Sequence, residues 1–298
     1  MKTLIVIVGA TGIGKTDLSI ELAQVLDTVI ISSDSRQIYK ELKIGVAGPS
    51  EKDLAKVKHY MIANKSIYDY YSAGKYELEV LDILKDVFKN KDTALLVGGS
   101  GMYIDALCRG IDALPDADPA IRKKLTRKYE KEGIESLRFD LKRLDPQHYK
   151  LADLNNPKRL LRAVEVCIQT GKTYTSFLTK PKKERDFNFL KIGLERDRDE
   201  LYDRINKRVD LMLEQGLLDE VRKFHKDKHL NSLNTVGYKE LFAYFDKKYD
   251  LEEAVRLIKR NSRRYAKRQM TWFKRDRDFR WFHPDEKQKI FEYISKDI

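Results

Sequence analysis

The stretch "GATGIGKT", residues 9–16, has the residue types and the spacing of a phosphate-binding loop. Its glycines allow the backbone to curl so that several N–H groups converge on one anion. Lys15 adds a full positive charge toward the outer phosphate, and the hydroxyl of Thr16 is a ligand for Mg²⁺. An apolar run precedes the loop and a helical pattern follows it, which is the context such a loop requires. The pattern predicts a site for a diphosphate or triphosphate group, but it does not identify the molecule that carries the group.

A carboxylate, Asp34, follows a second apolar run within "ISSDSRQIY". Ligands of open parallel sheets bind beyond the carboxyl ends of the strands, so we expect Asp34 to face the same crevice as the phosphate loop. Three roles compete for it: a ligand of Mg²⁺, a general base toward a second substrate, or a helix cap. The third apolar run ends in "GGSG", residues 98–101, which offers no carboxylate. Asp34 is therefore the main candidate for the metal if the chain is an ordinary NTPase.

The C-terminal segment 256–280 contains eleven lysines and arginines and only two acidic residues. Trp272 and Phe273 interrupt this charge. A basic helical face with aromatic rings nearby suits a nucleic-acid backbone with unpaired bases, although a solvated helix face has the same pattern. Five of the basic residues recur at helical steps and are predicted to share that face: Arg256, Arg260, Arg263, Lys267 and Lys274.

Two further segments each place two arginines on one side of a predicted helix. In "KRLLRAVEV" these are Arg159 and Arg162, and in "YDRINKRVDLML" they are Arg204 and Arg208. Two arginines that converge on one point suit a pyrophosphate group. Either pair alone is more typical of surface charge than of a binding site.

Alternating apolar runs and helical patterns predict an α/β fold. Strands are expected at 3–8, 28–34 and 93–99, with helices at 15–26 and 72–90 between them. We therefore predict a parallel sheet flanked by helices, similar to the P-loop NTPases, with an inserted all-helical domain. The core is assigned to 1–114 and 192–298, and its C-terminal part is expected to be helical and basic. The insertion is assigned to 115–191, and the stretch "PKKERDFNFLKIGLE" reads as a linker that returns to a strand at about 187–194.

Composition narrows the class of protein. The chain has 298 residues and a formal charge of +12, which favours a polyanionic partner. Its two cysteines, Cys108 and Cys167, are too few for a disulfide framework or a zinc site, so we expect buried thiols in a reducing compartment. The N-terminal apolar run is too short for a signal peptide or a membrane span. We expect a cytoplasmic protein that has no membrane association.

Taken together, these segments resemble the tRNA dimethylallyltransferases, also called tRNA isopentenyl transferases, of the bacterial type. The matching stretches follow the family's order along nearly the whole chain: "GATGIGKT", "ISSDSRQIYKELKIGVAGPS", "LLVGGSGMYIDAL", "DPAIRKKL", "NPKRLLRAVEV", "LYDRINKRVDLML", "NTVGYKE" and "AKRQMTWFKRD". The resemblance implies transfer of a dimethylallyl group from its diphosphate to N6 of adenine 37 in tRNAs that read codons beginning with U. It implies Mg²⁺ as cofactor and the anticodon stem-loop as the RNA partner, and we expect a monomer.

The resemblance also implies a role for each matching residue. Asp34 would be the general base, assisted by Lys15, Thr16 and Arg208, and Thr16 would hold the metal. The donor diphosphate would be bound by Gly9, Ala10, Thr11, Gly12, Ile13, Gly14, Lys15, Thr16 and Arg208. The tRNA would be contacted by Asp34, Ser35, Arg36, Gln37, Ser100, Arg122, Lys158, Arg159, Leu160, Leu161, Arg162, Asn234, Thr235, Val236, Gly237, Tyr238, Lys239, Lys267, Arg268, Gln269, Met270, Thr271, Trp272, Phe273 and Lys274. Ser100 replaces the threonine that is common in the family but keeps the hydroxyl.

Three other functions fit part of the sequence. A P-loop kinase or NTPase would use the phosphate loop equally well, but it does not need the basic tail. A non-catalytic RNA-binding protein with a regulatory nucleotide site would leave Asp34 and the Arg204–Arg208 pair without a task. An adenylate prenyltransferase that acts on free nucleotides should not need the basic segment 256–298.

Overall fold

The computed structural model describes residues 2–179 and 183–297. The chain divides into two compact units. The sheet unit comprises Met1–Cys108 and Glu184–Ile298, and the helical unit comprises Arg109–Lys183. Residues 181 and 182 of the expected linker lie outside the described residues.

The sheet unit is built on six parallel strands in the order β3-β2-β4-β1-β5-β6. The strands are β1 Thr3–Gly9, β2 Ile30–Ser32, β3 His59–Tyr60, β4 Thr93–Gly98, β5 Asn188–Leu194 and β6 Arg280–Phe282. The three expected strands and the returning strand are confirmed, although β2 is shorter than predicted. The two short edge strands, β3 and β6, were not predicted.

Strand β1 lies at the centre of the sheet because its sequence, "TLIVIVG", is apolar on both faces. All seven of its residues are buried, as expected for a parallel strand that helices cover on both sides. It pairs with β4 and with β5, with Thr3 opposite Thr93 and Asn188. The phosphate loop therefore starts from the best-buried strand of the unit.

Helices make up most of the remaining structure. The α-helices of the described residues are α1 Lys15–Val25, α2 Glu51–Lys56, α3 Ala73–Val87, α4 Gly101–Arg109, α5 Pro119–Glu132, α6 Ile134–Leu144, α7 Pro146–Leu151, α8 Pro157–Thr170, α9 Arg198–Glu214, α10 Leu217–Lys223, α11 Tyr238–Phe245, α12 Leu251–Phe273 and α13 Lys287–Asp297. The predicted helices at 15–26 and 72–90 correspond to α1 and α3. None of the helices among the described residues is long and apolar enough to cross a membrane.

Three helices of the helical unit begin in the same way, with a capping side chain followed by proline. The Asp118 carboxylate accepts the N–H groups of Ala120 and Ile121, at 2.8 and 3.0 Å, before α5. Asp145 and Asn156 cap α7 and α8 in the same manner. Proline suits the first helical position because the N–H it lacks would have no partner there. As expected, none of the described residues in this unit forms a strand.

A small apolar core, to which α5, α6 and α8 contribute Leu125, Leu137, Leu141, Leu160 and Val164, holds the helical unit together. The two ends of the helical unit meet, because the Lys183 N–H donates to the Arg109 carbonyl at 3.1 Å. The unit therefore starts and ends several residues before the expected limits of 115 and 191. The difference arises because residues 188–191 are already part of β5 and pair with β1.

Candidate functional site

The phosphate loop connects the end of β1 to the start of α1. Gly12 and Gly14 have φ values of +80° and +108°, a region that L side chains seldom adopt. Gly14 is the residue that immediately precedes α1, and it has a left-handed backbone conformation. The loop thus needs glycine at these positions to bring its N–H groups and the N-terminus of α1 to one point.

Lys15 lies inside this loop. Its ammonium group donates to the carbonyls of Gly9 and Ala10, at 3.0 and 2.8 Å. Burial lowers the pKa of Lys15 to about 8; the nearby Asp34 carboxylate opposes this effect, and Arg208 adds to it. An anion in the loop would raise this pKa again, because it favours the charged form of the lysine.

Three arginines donate hydrogen bonds to the phosphate loop. Arg204 donates from Nε to the Gly12 carbonyl at 2.9 Å, and Arg196 donates from Nε to the Ile13 carbonyl at 2.9 Å. Arg208 donates from Nη2 to the Thr11 hydroxyl. Sequence reasoning singled out Arg204 and Arg208 but missed Arg196, which follows β5.

The charges of these arginines are balanced differently. Arg196 forms ion pairs with Glu200 and Asp285. Arg208 forms no ion pair with any described residue, and its buried Nε has no hydrogen-bond partner among them. Burial lowers the pKa of Arg208, against the effect of Asp34. A buried guanidinium with an unsatisfied N–H is the arrangement expected where an anion binds.

A cavity of about 460 Å³ opens over the loop. Its walls come from the loop, the Asp34 turn, the end of β4 and α9. The residues that line it are Thr11, Gly12, Ile13, Gly14, Lys15, Thr16, Asp17, Asp34, Gln37, Val46, Ala47, Val97, Gly98, Arg204, Lys207, Arg208 and Leu211. The expected donor-site residues from Thr11 to Thr16 and Arg208 are thus brought together with Asp34.

Asp34 caps a turn with one of its oxygens. Its Oδ1 accepts the N–H groups of Arg36 and Gln37, at 2.8 and 3.3 Å. Its Oδ2 accepts no hydrogen bond from the described residues. The capping role is therefore present, and it leaves the second oxygen for other chemistry. The Ser100 hydroxyl fixes the same turn by accepting the Ser35 N–H at 2.9 Å.

A second cavity, of about 300 Å³, adjoins the first and shares four lining residues with it: Thr11, Asp34, Val46 and Arg208. Its lining combines four apolar side chains that do not line the first cavity with polar and basic ones: Val209, Met212, Leu217 and Ile258 on the one hand, and residues such as Arg36, Lys239, Tyr265 and Arg268 on the other. Burial and the neighbouring Asp34 raise the pKa of Tyr265 to about 12, so its hydroxyl remains a proton donor at neutral pH. Asp34 and Arg208 thus line both the cavity over the loop and the adjoining one.

The segment 234–239 lines the second cavity and is linked to the Asp34 turn. The Arg36 guanidinium donates to the carbonyls of Asn231, Ser232 and Asn234, at 3.0, 2.9 and 3.4 Å. Asn234, Thr235, Val236, Gly237 and Lys239 line the cavity. Tyr238 does not, because its side chain is fully buried.

Glu220, which sequence reasoning did not identify, anchors the segment that leads to Val46. The Glu220 carboxylate accepts the N–H groups of Lys43, Ile44 and Gly45 at 2.9–3.0 Å, and the Tyr238 hydroxyl donates to it at 2.5 Å. A Cβ on Gly45 would lie 2.5 Å from the Tyr238 ring. This anchor places the adjoining Val46 in both cavities. Nothing in the sequence around Glu220 indicated that its carboxylate would anchor the backbone of residues 43–45.

The expected RNA-contacting residues of α12 differ in exposure. Lys267, Arg268, Thr271 and Lys274 are exposed, Met270 and Trp272 are half-buried, and Gln269 and Phe273 are buried. The Trp272 indole donates to Asp105 at 3.0 Å. On the predicted basic face, Arg256 pairs with Glu253 and Lys274 with Glu195, while Arg263 donates to Asn206 and Arg260 to Asn261. Much of this face is therefore engaged within the chain.

In the helical unit, the expected RNA contacts also separate into two groups. Lys158 and Arg159 are exposed, whereas the side chains of Leu160 and Leu161 are buried in the apolar core. Arg122 and Arg162 share the fully buried carboxylate of Glu165. Any contact of the two leucines with RNA would have to involve their backbone.

The donor set over the loop suits Mg²⁺. Among the residues that the structure describes, no three or more His, Cys, Asp or Glu side chains gather as a metal cluster. Mg²⁺ does not require one, because it is commonly held by one or two protein oxygens together with phosphate oxygens and water. Thr16 and Asp34 both line the larger cavity and offer such oxygens.

The parallel sheet, the glycine loop and the basic cavity define a P-loop-type α/β protein. The model of the IPP transferase family matches residues 37–276, which is most of the chain. The chain belongs to the IPP transferase family. The matched range begins after the phosphate loop and Asp34.

Relatives of known name are similar over the full length. A tRNA dimethylallyltransferase 1 of Bacteroides fragilis is 54% identical over 297 residues, covering 100% of this chain and 99% of that protein. A tRNA dimethylallyltransferase of Christiangramia forsetii is 52% identical over 296 residues, with coverage of 99% and 98%.

Solved structures are similar as well. The tRNA isopentenylpyrophosphate transferase of Bacillus halodurans superposes with a TM-score of 0.72 at 33% identity, covering 99% of this chain and 96% of that chain. A eukaryotic dimethylallyltransferase acting on tRNA superposes with a TM-score of 0.76 at 26% identity, covering 91% of this chain and 70% of that chain.

Proposed function

We propose that this chain transfers the dimethylallyl group from dimethylallyl diphosphate to N6 of adenine 37 in tRNAs that read codons beginning with U. The observation that carries the proposal is that Asp34 and Arg208 line both the cavity over the phosphate loop and the adjoining one, whose walls include the apolar side chains of Val209, Met212 and Leu217. A prenyl transfer needs two adjoining spaces, one for the diphosphate that departs and one where the allyl group and the base are joined.

The basic cavity would hold the donor diphosphate. Backbone N–H groups of the loop, the Lys15 ammonium and Arg208 converge there. As the allylic C–O bond breaks, its electron pair goes to the diphosphate oxygen, and positive charge develops on the allylic carbon. Groups already aimed at the leaving oxygen stabilise this charge separation by several kcal/mol, typically about 3–4 for a single well-placed donor.

Asp34 would be the general base. The exocyclic amine of adenine is a poor nucleophile because its lone pair is delocalised into the ring. As the new N6–C bond forms, one N6 proton would pass to Oδ2 of Asp34, the oxygen that accepts no bond from the described residues. General-base assistance of this kind contributes about 10²–10⁴-fold.

Mg²⁺ would be held by the Thr16 hydroxyl together with diphosphate oxygens and water, and when bound it would neutralise diphosphate charge. The other roles belong to side chains of the protein. Lys15 and Arg208 would orient the diphosphate, and Tyr265 would offer a hydroxyl to the base. Both cavities would exclude water from the allylic carbon, which water could otherwise attack.

The tRNA would be bound by residues of both units. The exposed Lys158, Arg159, Lys267 and Arg268 would contact phosphates of the anticodon stem-loop. The target base must leave its stack to reach the second cavity, and backbone contacts offset the cost of unstacking it. Because one chain supplies both cavities, we propose that the enzyme acts as a monomer. Its location would be the cytoplasm, where this tRNA substrate is found.

The test is a transfer assay with Mg²⁺, dimethylallyl diphosphate and unmodified tRNA that carries adenines at positions 36 and 37. The tRNA is digested to nucleosides, and the nucleoside masses are measured by mass spectrometry. Wild-type protein should yield an adenosine heavier by one dimethylallyl group. Asp34→Asn should keep the cap, because the amide oxygen still accepts the N–H groups of Arg36 and Gln37, yet it should lose at least about 10²-fold in rate.

Asp118→Asn is the matched control, because Asp118 also caps a turn of backbone but lies in neither cavity. It should transfer at the wild-type rate. An active Asp34→Asn enzyme would contradict the general-base role. Unmodified tRNA from folded, tRNA-binding wild-type protein would contradict the transfer itself, and ATP-dependent phosphoryl transfer would then be measured as the kinase alternative. Modification of free AMP but not of tRNA would identify an adenylate prenyltransferase.

A further inference from the structure

Gln269 is a polar side chain that the basic character of its helix does not explain. It lies on α12 between the exposed Lys267 and Arg268 on one side and Thr271 on the other, but its own side chain is only 6% exposed. A buried amide has to satisfy both its oxygen and its nitrogen. The partners it finds are therefore informative about its task.

The two ends of this amide join two loops of the candidate site. Oε1 accepts the Thr11 N–H of the phosphate loop at 2.9 Å, and Nε2 donates to the Gly99 carbonyl at 2.9 Å. The orientation of the amide follows from these partners, because only oxygen can accept the N–H and only nitrogen can donate to the carbonyl. Gly99 also has no room for a Cβ, which would collide with Gln269 Nε2.

Both loops continue directly to the groups that would act on the substrates. On one side, the Thr11 hydroxyl accepts from Arg208, so Thr11 is held by Gln269 through its backbone and by Arg208 through its side chain. On the other side, Gly99 precedes Ser100, whose hydroxyl accepts the Ser35 N–H next to Asp34. One side chain thus lies between the turn that carries Asp34 and the loop that would hold the diphosphate.

We propose that Gln269 is a positioning residue that fixes the phosphate loop against the Asp34 turn and so sets how the donor diphosphate is held. This inference rests on the proposed function and assigns Gln269 a task different from direct RNA contact. Glutamine suits the task because it is long enough to reach both partners, and it carries one donor and one acceptor at the same terminus. Asparagine offers the same groups but is one methylene shorter.

The experiment compares Gln269→Met and Gln269→Asn with wild type and with Ala254→Gly. Methionine keeps the length and loses both hydrogen bonds, whereas asparagine keeps the amide but cannot span both partners. Ala254 is fully buried on the same helix and lines neither cavity, so its replacement by glycine destabilises α12 without touching the loop. Three quantities are measured: the Kd for inorganic pyrophosphate with Mg²⁺ by calorimetry, the KM for dimethylallyl diphosphate, and the Kd for tRNA.

Both Gln269 variants should raise the pyrophosphate Kd and the donor KM about tenfold, as expected when one or two hydrogen bonds that order the loop are lost. Their tRNA Kd should stay within about twofold of wild type, and Ala254→Gly should leave all three quantities unchanged. A wild-type pyrophosphate Kd in both variants would overturn the inference. So would an equal loss in Ala254→Gly, or weaker tRNA binding with normal pyrophosphate binding, which would make Gln269 an RNA contact.

Failure of the proposed function has a different signature. Wild-type protein would then bind pyrophosphate but transfer no dimethylallyl group. The comparison of pyrophosphate Kd values between wild type and the Gln269 variants would still decide the positioning role.

Discussion

Two pairs of arginines, one in each unit, have different surroundings in the structure. In the helical unit, Arg122 donates from Nε to Glu165 at 2.7 Å, and Arg162 donates to the same carboxylate at 2.6 Å. In the sheet unit, Arg204 and Arg208 donate to a loop carbonyl and a hydroxyl, with no ion pair to a described residue. The first pair shares a carboxylate, and the second pair has no carboxylate partner among the residues that the structure describes.

The difference shows what distinguishes a structural arginine from a binding arginine. A fully buried carboxylate satisfies the guanidinium groups that flank it, so the helical unit already contains the charge its arginines need. Arg208 instead keeps a buried Nε without a partner among the described residues. In the proposed function, a bound diphosphate would balance its charge. Three changes test this contrast.

Replacing Arg208 should have the largest effect, and that effect should fall on function. We expect Arg208→Met to lower kcat/KM for the donor about 10³-fold, since a group aimed at a developing charge contributes about 4 kcal/mol. The free energy of unfolding should not fall, because a buried cation without a carboxylate partner is removed. Steady-state kinetics and urea denaturation measure the two quantities. Arg222→Met, an exposed arginine outside both cavities, is the control. A less stable Arg208→Met protein with normal kinetics would reverse the contrast.

Replacing Glu165 should have the opposite outcome. Glu165→Gln leaves two guanidinium groups without a full counter-charge, and we expect the helical unit to lose about 2–3 kcal/mol. The value is below that of a fully buried pair, because the Arg122 and Arg162 side chains are 42% and 22% exposed and water screens them. Hydrogen exchange of the amides in residues 119–170 measures this loss, while pyrophosphate binding should be unchanged.

The matched control is Glu135→Gln, an exposed carboxylate that pairs with Arg138 in the same unit. It should change local stability by no more than about 0.5 kcal/mol. Equal protection in the Glu165→Gln and wild-type proteins would show that the buried carboxylate is not the counter-charge of this unit.

A rise in pH should have the smallest effect, and it sharpens the contrast because it acts on the basic site alone. The pKa of Lys15 is lowered to about 8 by burial, and only the protonated form attracts a diphosphate. Pyrophosphate affinity should therefore fall about fivefold between pH 8 and pH 9 through this group.

Stability should respond to Lys15 in the opposite direction. The folded pKa lies below the unfolded value of 10.5, so the unfolded chain binds more protons between these values, and Lys15 makes the fold more stable as pH rises. Calorimetry and denaturation of wild type and Lys15→Met across this range measure both effects. Affinity that changes equally with pH in the two proteins would assign the titration to another group.

Much of the fold could be predicted because its signals are local. Residues 3–8 form a continuous apolar run, and the caps before Pro119 and Pro157 are standard helix starts, so strands and helices could be placed from neighbouring residues. Strands β3 and β6 were missed because they are two and three residues long. They are held by pairing with other strands rather than by their own sequence.

The residues of the candidate site also differ in whether the local sequence indicates them. Residues 9–16 and Asp34 could be found because the residue types and spacing within short stretches of sequence indicate their chemistry. The roles of Gln269, Glu220 and Glu165 could not, because each depends on partners that are distant along the chain. Gln269 meets Thr11 across a separation of 258 residues. Charge periodicity placed Gln269 on a basic helix, but only the fold shows that its side chain lies buried between two loops.

The hydrogen bond between Lys183 and Arg109 has a consequence for how the chain folds. Strands β4 and β5 both pair with β1, yet the whole helical unit lies between them in sequence. Closing so long a loop carries an entropic cost that grows with its length. If the helical unit folds first and brings its ends together, the effective loop shrinks to residues 99–109 and 183–187. The sheet could then assemble almost as though the insertion were absent, and contact order along the chain would overstate the barrier to folding.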